Sequence, residues 1–263
     1  MFDFLKAKQR KKKVIVFVDY ESWFYSYRTI YNLYPDIREF RARLEKEYDI
    51  VDIMVFGDFS NDAIANELVK LRQITNTIIE TSNIFNRRKK DMTDFIMLDY
   101  IYQFVDANKK IDNYVIFTGD GHFQSVTKYL VQKKKKHVVV YAVRDSISRQ
   151  LREAASELIE LPSDKEIKQR YYKLIVNNFE YVYNHPKIVP TFKNTAEAVA
   201  LKYGVELDDI KSTLGEMIDK GYIKRITHCI EFHRPIKALS AQWDKLREAG
   251  LWELPKQEGG SSK

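Results

Sequence analysis

An unbroken apolar run that ends in an acid, VIVFVD, occupies residues 14–19. A strand whose side chains do not alternate between polar and apolar is buried on both faces, which is typical of a parallel sheet covered by helices. Helically spaced stretches separate this run from four more apolar runs, at residues 51–56, 76–80, 114–118 and 138–143. The alternation predicts an α/β fold with a parallel sheet flanked by helices.

The composition is that of a globular chain with one or two domains. Of the 263 residues, 44% are hydrophobic and 31% are charged, which excludes wholesale disorder. No apolar run reaches the roughly 18–20 residues of a membrane-spanning helix. We expect no export signal, because the apolar run before Asp19 is short. Cys229 is the only cysteine, so an internal disulfide is excluded and a reducing, cytoplasmic location is expected.

The alternation of predicted strands and helices ends near residue 162, where we expect the first domain to end. The predicted organisation is a basic arm at 1–12, the α/β domain at 13–162, a winged-helix-like domain at 165–250 and a flexible tail at 251–263. Within the winged-helix-like domain we expect helices at 165–184, 195–203 and 207–220, then a strand or hairpin, then a closing helix at 236–249.

The third of these predicted helices would be the recognition helix, and it is acidic. This stretch contains five acids and only two lysines. The acids are Glu206, Asp208, Asp209, Glu216 and Asp219, and the lysines are Lys211 and Lys220. Phosphates repel such a surface. The sequence therefore favours an RNA end, a protein partner or dimerisation over readout of a DNA groove.

Acidic residues follow several of the predicted strands. Asp19, Asp58 and Asp120 come at or just beyond strand ends, and Asp94 begins the helix after the third strand. Ligands of open parallel sheets bind at the carboxyl ends of the strands. A single Asp there is ordinarily a helix N-cap. Four acids at one edge instead predict a divalent cation with oxygen ligands, Mg²⁺ or Mn²⁺, which activates water for attack on a phosphate.

Four motifs stand in a fixed order: VIVFVDYES from residue 14, FGDFS from residue 56, KKDMTDF from residue 89 and FTGDGHF from residue 117. In order and spacing they resemble the NYN domain, a PIN-like nuclease family that includes LabA-type proteins, over about residues 12–162. The resemblance implies a PIN-like fold and a metal-dependent ribonuclease. It also implies that Asp19, Asp94 and Asp120 are the metal-binding and catalytic acids.

Two residues depart from the family's motifs. His122 stands where the family often has a second acid after Asp120, and Ser22 stands where Asn is frequent. His122 belongs to the candidate catalytic set if it binds the metal or relays a proton. Alternatively it weakens metal binding or only begins a helix. Ser22 holds either a water or a backbone amide, or it caps a helix.

RNA contacts are expected beside the acidic edge. The main candidates are Arg87, Arg88, Lys89 and Lys90, which precede the helix of Asp94, together with Ser22. The basic run at 133–136 precedes a strand and is expected at the opposite edge. Three aromatic residues near the acidic edge either stack on unpaired bases or pack in the core. They are Tyr20, Trp23 and Phe123.

Two functions remain open at this point. One is a metal-dependent endoribonuclease, and the other is a non-catalytic RNA-binding or regulatory protein. The carboxylates of Asp19, Asp94 and Asp120 converge if the first is correct and splay apart as caps if the second is correct. A haloacid-dehalogenase-like phosphatase is disfavoured, because Glu21 occupies the position where that fold needs a second Asp. A P-loop nucleotide-binding motif is absent from the sequence.

Overall fold

The computed structural model describes residues 11–81, 92–228 and 235–253, and the chain divides between Leu161 and Pro162 into two compact units. In the first unit, the described residues form one sheet whose strands all pair in parallel. The strands are β1 (Lys12–Asp19), β2 (Tyr48–Gly57), β3 (Ile78–Glu80), β4 (Asn113–Phe117), β5 (His137–Val143) and β6 (Glu157–Leu161). The predicted parallel α/β fold is confirmed.

Helices cover both faces of this sheet. They are α1 (Tyr20–Ser26), α2 (Ile37–Glu47), α3 (Asp62–Ala65), α4 (Glu67–Arg72), α5 (Met92–Ala107), α6 (Gln124–Lys128) and α7 (Arg149–Ala154). π-Helical turns follow α1 and α6, at Tyr27–Tyr31 and Tyr129–Lys133, and a 3₁₀ turn at Gly121–Phe123 precedes α6.

The central strand β1 explains why the run at 14–18 lacks alternation. Val14, Val16 and Val18 enter one buried cluster, whereas Ile15 and Phe17 enter another on the opposite face. Consecutive strand side chains point to opposite faces, so a strand between two helical layers must be apolar at every position.

Three aromatic residues expected to stack on bases or to pack in the core are core residues. Trp23 and Phe123 are buried. Tyr20 is buried as well, and its hydroxyl donates a hydrogen bond to Glu67 at 2.8 Å. The hypothesis that these rings stack on unpaired bases is therefore wrong, because none of them is accessible.

The order of the strands places one crevice at the carboxyl edge of the sheet. Across the sheet the order is β3-β2-β1-β4-β5-β6, so the connections leave in opposite directions on either side of the β1–β4 pair. Ligands of open α/β sheets bind where the strand order reverses in this way. Val18 of β1 pairs with Phe117 of β4, so the residues that follow both strands meet at this crevice.

The strand β6 is not among the apolar runs from which the sheet was predicted. The helix α7 ends at Ala154, and β6 pairs in parallel with β5. The strand is short, lies at the end of the sheet and carries the charged residues Glu157 and Glu160. An edge strand that is only half buried lacks the continuous apolar run that identified the central strands.

The second unit contains helices and a two-stranded antiparallel sheet. Its elements are α8 (Asp164–Tyr183), α9 (Phe192–Tyr203), α10 (Leu207–Asp219), β7 (Ile223–His228), β8 (Ile236–Ala241) and α11 (Trp243–Glu248). These helices and strands pack around a core of their own. The winged-helix assignment stays a prediction.

The expected closing helix at 236–249 is wrong in its first half. Residues 236–241 pair with β7 as an antiparallel strand, and only Trp243–Glu248 is helical. The sequence of β8 lacks a strong local preference, so strand pairing and the burial of Ala238 and Leu239 decide its conformation. Among the described residues, no helix is both long and apolar enough to cross a bilayer.

Candidate metal centre

Asp19 lies at the carboxyl end of β1, inside the crevice. Its carboxylate accepts hydrogen bonds from the backbone N–H of Ser22 at 3.0 Å and from the hydroxyl of Thr118 at 3.1 Å. The first bond makes Asp19 the N-cap of α1. Burial raises the pKa of Asp19 to about 7, and the negative charge of Asp94 contributes to the rise. Asp19 is therefore both the cap of α1 and a buried carboxyl whose ionisation is disfavoured.

Asp120 is held in place by the segment that follows β4. Its Oδ1 accepts a hydrogen bond from the backbone N–H of His122 at 2.8 Å and so caps the 3₁₀ turn. Its own N–H donates to the hydroxyl of Thr118 at 3.2 Å. Because Thr118 also bonds Asp19, this one hydroxyl joins the two acids at the ends of the central strands.

Asp94, Asp120 and His122 converge at the mouth of the crevice. Nδ1 of His122 lies 3.1 Å from Oδ2 of Asp94 and 3.3 Å from Oδ1 of Asp120. The candidate ligand atoms of these three residues all lie within 4.8 Å of one another. Of the three predicted acids, Asp94 and Asp120 meet in this cluster, while Asp19 is not one of its members.

Two carboxylates and one imidazole form a donor set that suits a divalent cation. Carboxylate oxygens are the ligands of Mg²⁺ and Mn²⁺, and a neutral imidazole nitrogen binds first-row transition ions. These three residues therefore suit the divalent cation that the acids at the strand ends predicted.

Glu21 also lies close to these acids. In the sequence it served only as an argument against a haloacid-dehalogenase-like phosphatase. Its carboxylate accepts a hydrogen bond from the backbone N–H of Asp58 and lies 3.4 Å from the hydroxyl of Thr93. Burial raises its pKa, and the charges of Asp58 and Asp94 add to the rise. Its spacing could have identified it from the sequence, since it follows Asp19 by two residues on the first turn of a helix.

Asp58 makes hydrogen bonds within its own loop in addition to the one that its N–H donates to Glu21. Its Oδ1 accepts hydrogen bonds from the backbone N–H and the hydroxyl of Ser60. Ser22 donates its backbone N–H to Asp19, which is the N-cap of α1, so Ser22 lies within the first turn of that helix and is not its cap. Arg87–Lys90 lie outside the described residues.

Two other groups of charged residues lie away from the cluster. Asp99 on α5 is exposed and accepts a hydrogen bond from Gln103 at 2.7 Å. In the run at 133–136, Lys134 pairs with Asp106 and Lys136 with Asp112. These lysines precede β5 and so lie at the opposite edge, as the sequence predicted.

Phe95 is a second feature that the sequence reasoning did not single out. It follows Asp94 on the first turn of α5, and 65% of its surface is exposed. This exposed phenylalanine, the next residue after Asp94 in the chain, presents an apolar ring to solvent on the first turn of α5. Sequence periodicity could not identify it, because a Phe in a helical pattern ordinarily belongs to the core.

Comparison with solved structures supports the fold. A crystal structure of a protein of unknown function from Vibrio parahaemolyticus superposes with a TM-score of 0.52 at 22% identity. The match covers 59% of this chain and 96% of that one. A search of curated proteins gave no match.

The family comparison agrees with the geometry of the cluster. The model of the NYN domain matches residues 13–162, which include β1 to β6 and every residue of the crevice described above. NYN domains form a nuclease-like family, and the acids that the motifs aligned are the acids that the fold brings to one edge. The chain belongs to the NYN domain family.

Proposed function

We propose that the first unit is a metal-dependent endoribonuclease that hydrolyses RNA with Mg²⁺ or Mn²⁺. The observation that supports this most strongly is the convergence of Asp94, Asp120 and His122 within 4.8 Å at the carboxyl edge of the sheet. A cation bound there would lower the pKa of a coordinated water and stabilise negative charge on a phosphate.

In this proposal Asp94 and Asp120 hold the cation, and the chain orients Asp120 before the cation arrives. Asp120 is oriented by its bonds to the backbone of His122 and to Thr118. Preformed ligands reduce the ordering cost of binding and favour one coordination geometry.

Asp19 is proposed to contribute a buried negative charge near these ligands. Its pKa of about 7 reflects the cost of a carboxylate charge in the crevice, and a nearby cation would offset that cost and favour ionisation. Ionised Asp19 would then bind the cation directly or through a water. Thr118 keeps it oriented through the bond at 3.1 Å.

Phe95 supports single-stranded RNA as the substrate class. Its exposed ring belongs to the residue that follows Asp94 in the chain, and aromatic rings bind nucleic acid by stacking on bases that are not already paired. Arg87, Arg88, Lys89 and Lys90 precede the same helix in sequence and are proposed to bind the phosphates, and Ser22 is proposed to lie beside the RNA.

Cleavage of a circular single-stranded RNA tests the proposal. A circle has no ends, so its conversion to a linear product requires an internal cut. Wild-type protein should linearise the circle with Mn²⁺ or Mg²⁺, lose activity in EDTA and regain it when excess metal is restored. Asp120→Asn should bind the RNA but cut it far more slowly. If the circle is bound yet stays intact with every metal, the non-catalytic RNA-binding alternative replaces this proposal.

The second unit is proposed to bind a protein partner or a second copy of the chain. Its predicted winged-helix-like domain spans 165–250, and α10 begins with the exposed acids Asp208 and Asp209. Such a surface suits a basic partner better than RNA. The cytoplasmic location, inferred from the single Cys229, belongs to the same set of proposals.

A further inference from the structure

We propose that His122 makes this centre select a first-row transition ion over Mg²⁺ by binding the ion through Nδ1. The inference rests on the proposed metal centre and specifies which cation that centre holds. It concerns the residue at which this chain departs from the usual motif of its family, where an acid is frequent.

The distances around His122 match those between neighbouring ligands of one ion. Nδ1 lies 3.1 Å from Oδ2 of Asp94 and 3.3 Å from Oδ1 of Asp120. An octahedral ion with bonds of about 2.1 Å separates adjacent ligand atoms by about 3.0 Å. Nδ1 therefore lies close enough to both carboxylates to share an ion with them. The 3.1 Å separation from Asp94 is also that of a hydrogen bond, so Nδ1 must be deprotonated when it binds the ion.

The backbone of His122 is held in place without relying on the ion. The N–H of His122 donates to Oδ1 of Asp120 at 2.8 Å, which fixes the 3₁₀ turn. The next residue, Phe123, is fully buried and anchors the turn in the core. The side chain of His122 is 63% exposed, so an ion can reach the nitrogen from solvent.

The chemistry of the donor set favours a transition ion. Mg²⁺ binds oxygen and keeps its waters, whereas first-row transition ions accept imidazole nitrogen readily. An imidazole in place of a carboxylate also removes one negative charge, which weakens binding of every divalent cation. The loss is largest for Mg²⁺, because that ion gains least from nitrogen. Mn²⁺ is the weakest binder of the transition series, so a preference for Mn²⁺ over Mg²⁺ is a stringent test.

Pulsed electron paramagnetic resonance of bound Mn²⁺ tests the proposal directly. Full-length protein labelled with ¹⁵N-histidine should show the coupling of a directly coordinated imidazole nitrogen. His122→Ala should lose that coupling, and His122→Asp should lose it while still binding Mn²⁺. The matched control is His137→Ala, which removes an exposed histidine 3.8 Å from Glu157 at the opposite edge of the sheet. This control should keep the coupling.

Calorimetry provides the second measurement. The preference for Mn²⁺ over Mg²⁺, expressed as the ratio of their dissociation constants, should fall about tenfold in His122→Asp. An unchanged ratio, a coupling that survives in His122→Ala, or no Mn²⁺ binding by the folded wild type would each overturn the proposal.

These readouts separate this inference from the proposed nuclease activity. A nitrogen coupling that depends on His122, found in a protein that cuts no RNA, would support the metal selectivity and refute the nuclease proposal. Cleavage supported equally by Mg²⁺ and Mn²⁺, with no nitrogen coupling, would support the nuclease proposal and refute the metal selectivity.

Discussion

At the scale of single residues, Asp19 caps a helix and is also proposed to assist a bound cation, and the two roles make opposing energetic demands. As an N-cap it accepts a hydrogen bond from Ser22, which stabilises the first turn of α1. As a buried carboxylate near Asp94 it is costly to ionise, and its pKa is raised to about 7. A group that is costly in the metal-free fold and useful beside a cation is typical of functional sites.

This conflict predicts that Asp19→Asn stabilises the metal-free protein at high pH. The folded pKa lies above the unfolded value of 3.8, so the folded state keeps a proton that the unfolded state releases. The stability of the wild type therefore falls as the pH rises from about 4 to about 7, relative to the variant. In EDTA at pH 8 the variant should be more stable by an amount on the order of 2–4 kcal/mol.

Urea unfolding in EDTA at pH 4 and pH 8 measures this difference. The control is Asp99→Asn, which changes an exposed acid on α5 and should follow the wild type at both pH values. A stability difference between Asp19→Asn and the wild type that is the same at both pH values would contradict the raised pKa. With saturating Mn²⁺ the order should reverse, because only the wild type retains the buried negative charge.

The exposed ring of Phe95 predicts a selective effect on substrate binding. Phe95→Ala should raise KM for single-stranded RNA on the order of tenfold, since stacking on one base contributes about 1–3 kcal/mol. The value of kcat should change much less, and Phe95→Trp should restore KM. Steady-state kinetics of the three proteins checks this. An equal loss of kcat in Phe95→Ala and Phe95→Trp would indicate a structural role instead.

Sequence reasoning identified the acids at the site better than it identified their arrangement. The positions of Asp94 and Asp120 follow from strand ends and the parallel-sheet rule, which need only local information. Glu21 was missed because its role depends on the backbone of Asp58, which belongs to a neighbouring strand end. Phe95 was missed because exposure is a property of the folded surface.

At the scale of secondary-structure elements, strands with a continuous apolar run were predictable, the edge strand β3 among them, whereas β6 and β8 were not. The run that forms β1 is apolar at every position because both faces are covered. By contrast, β6 and β8 are short and partly exposed, and their conformation is fixed by pairing with β5 and β7. Tertiary pairing of this kind overrides local preference and is not visible in the sequence.

The start of α8 offers a prediction at the same scale. The hydroxyl of Ser163 accepts a hydrogen bond from the N–H of Glu166 at 3.3 Å, and the Glu166 carboxylate accepts one from the N–H of Ser163. These reciprocal bonds form a capping box. Ser163→Ala should lower the free energy of unfolding of the second unit by about 1 kcal/mol.

Ser212→Ala is the matched control for this cap. Ser212 lies exposed within α10 of the same unit, where alanine has the higher helix propensity. That variant should be neutral or slightly stabilising in the same thermal unfolding experiment. Equal destabilisation by both substitutions would show that the capping box contributes nothing specific.

At the scale of the whole molecule, the candidate metal ligands found among the described residues all belong to the first unit. Asp94, Asp120 and His122 all precede the division at Leu161, and the two core clusters around the sheet lie within residues 11–161. The second unit has a separate core. A fragment that ends at Leu161 should therefore contain every proposed metal ligand.

This arrangement predicts that the fragment 1–161 binds Mn²⁺ with the affinity of the full chain, to within about twofold. Calorimetric titration of both proteins measures the affinity, and circular dichroism shows that the fragment is folded. At about 100 times the dissociation constant, Mn²⁺ should stabilise each by about 2.7 kcal/mol. A folded fragment that binds tenfold more weakly would show that the second unit contributes to the site.

The central claim, that the acids at the carboxyl edge of the sheet hold a cation that supports RNA hydrolysis, is tested most directly on two acids of one helix. Asp94 lies in the cluster, whereas Asp99 is exposed and bonds Gln103. With saturating Mn²⁺, single-turnover cleavage of circular RNA should slow at least about 100-fold in Asp94→Asn, a loss of about 2.7 kcal/mol of transition-state stabilisation. It should stay within about twofold of wild type in Asp99→Asn. Equal rates for the two variants would contradict the claim.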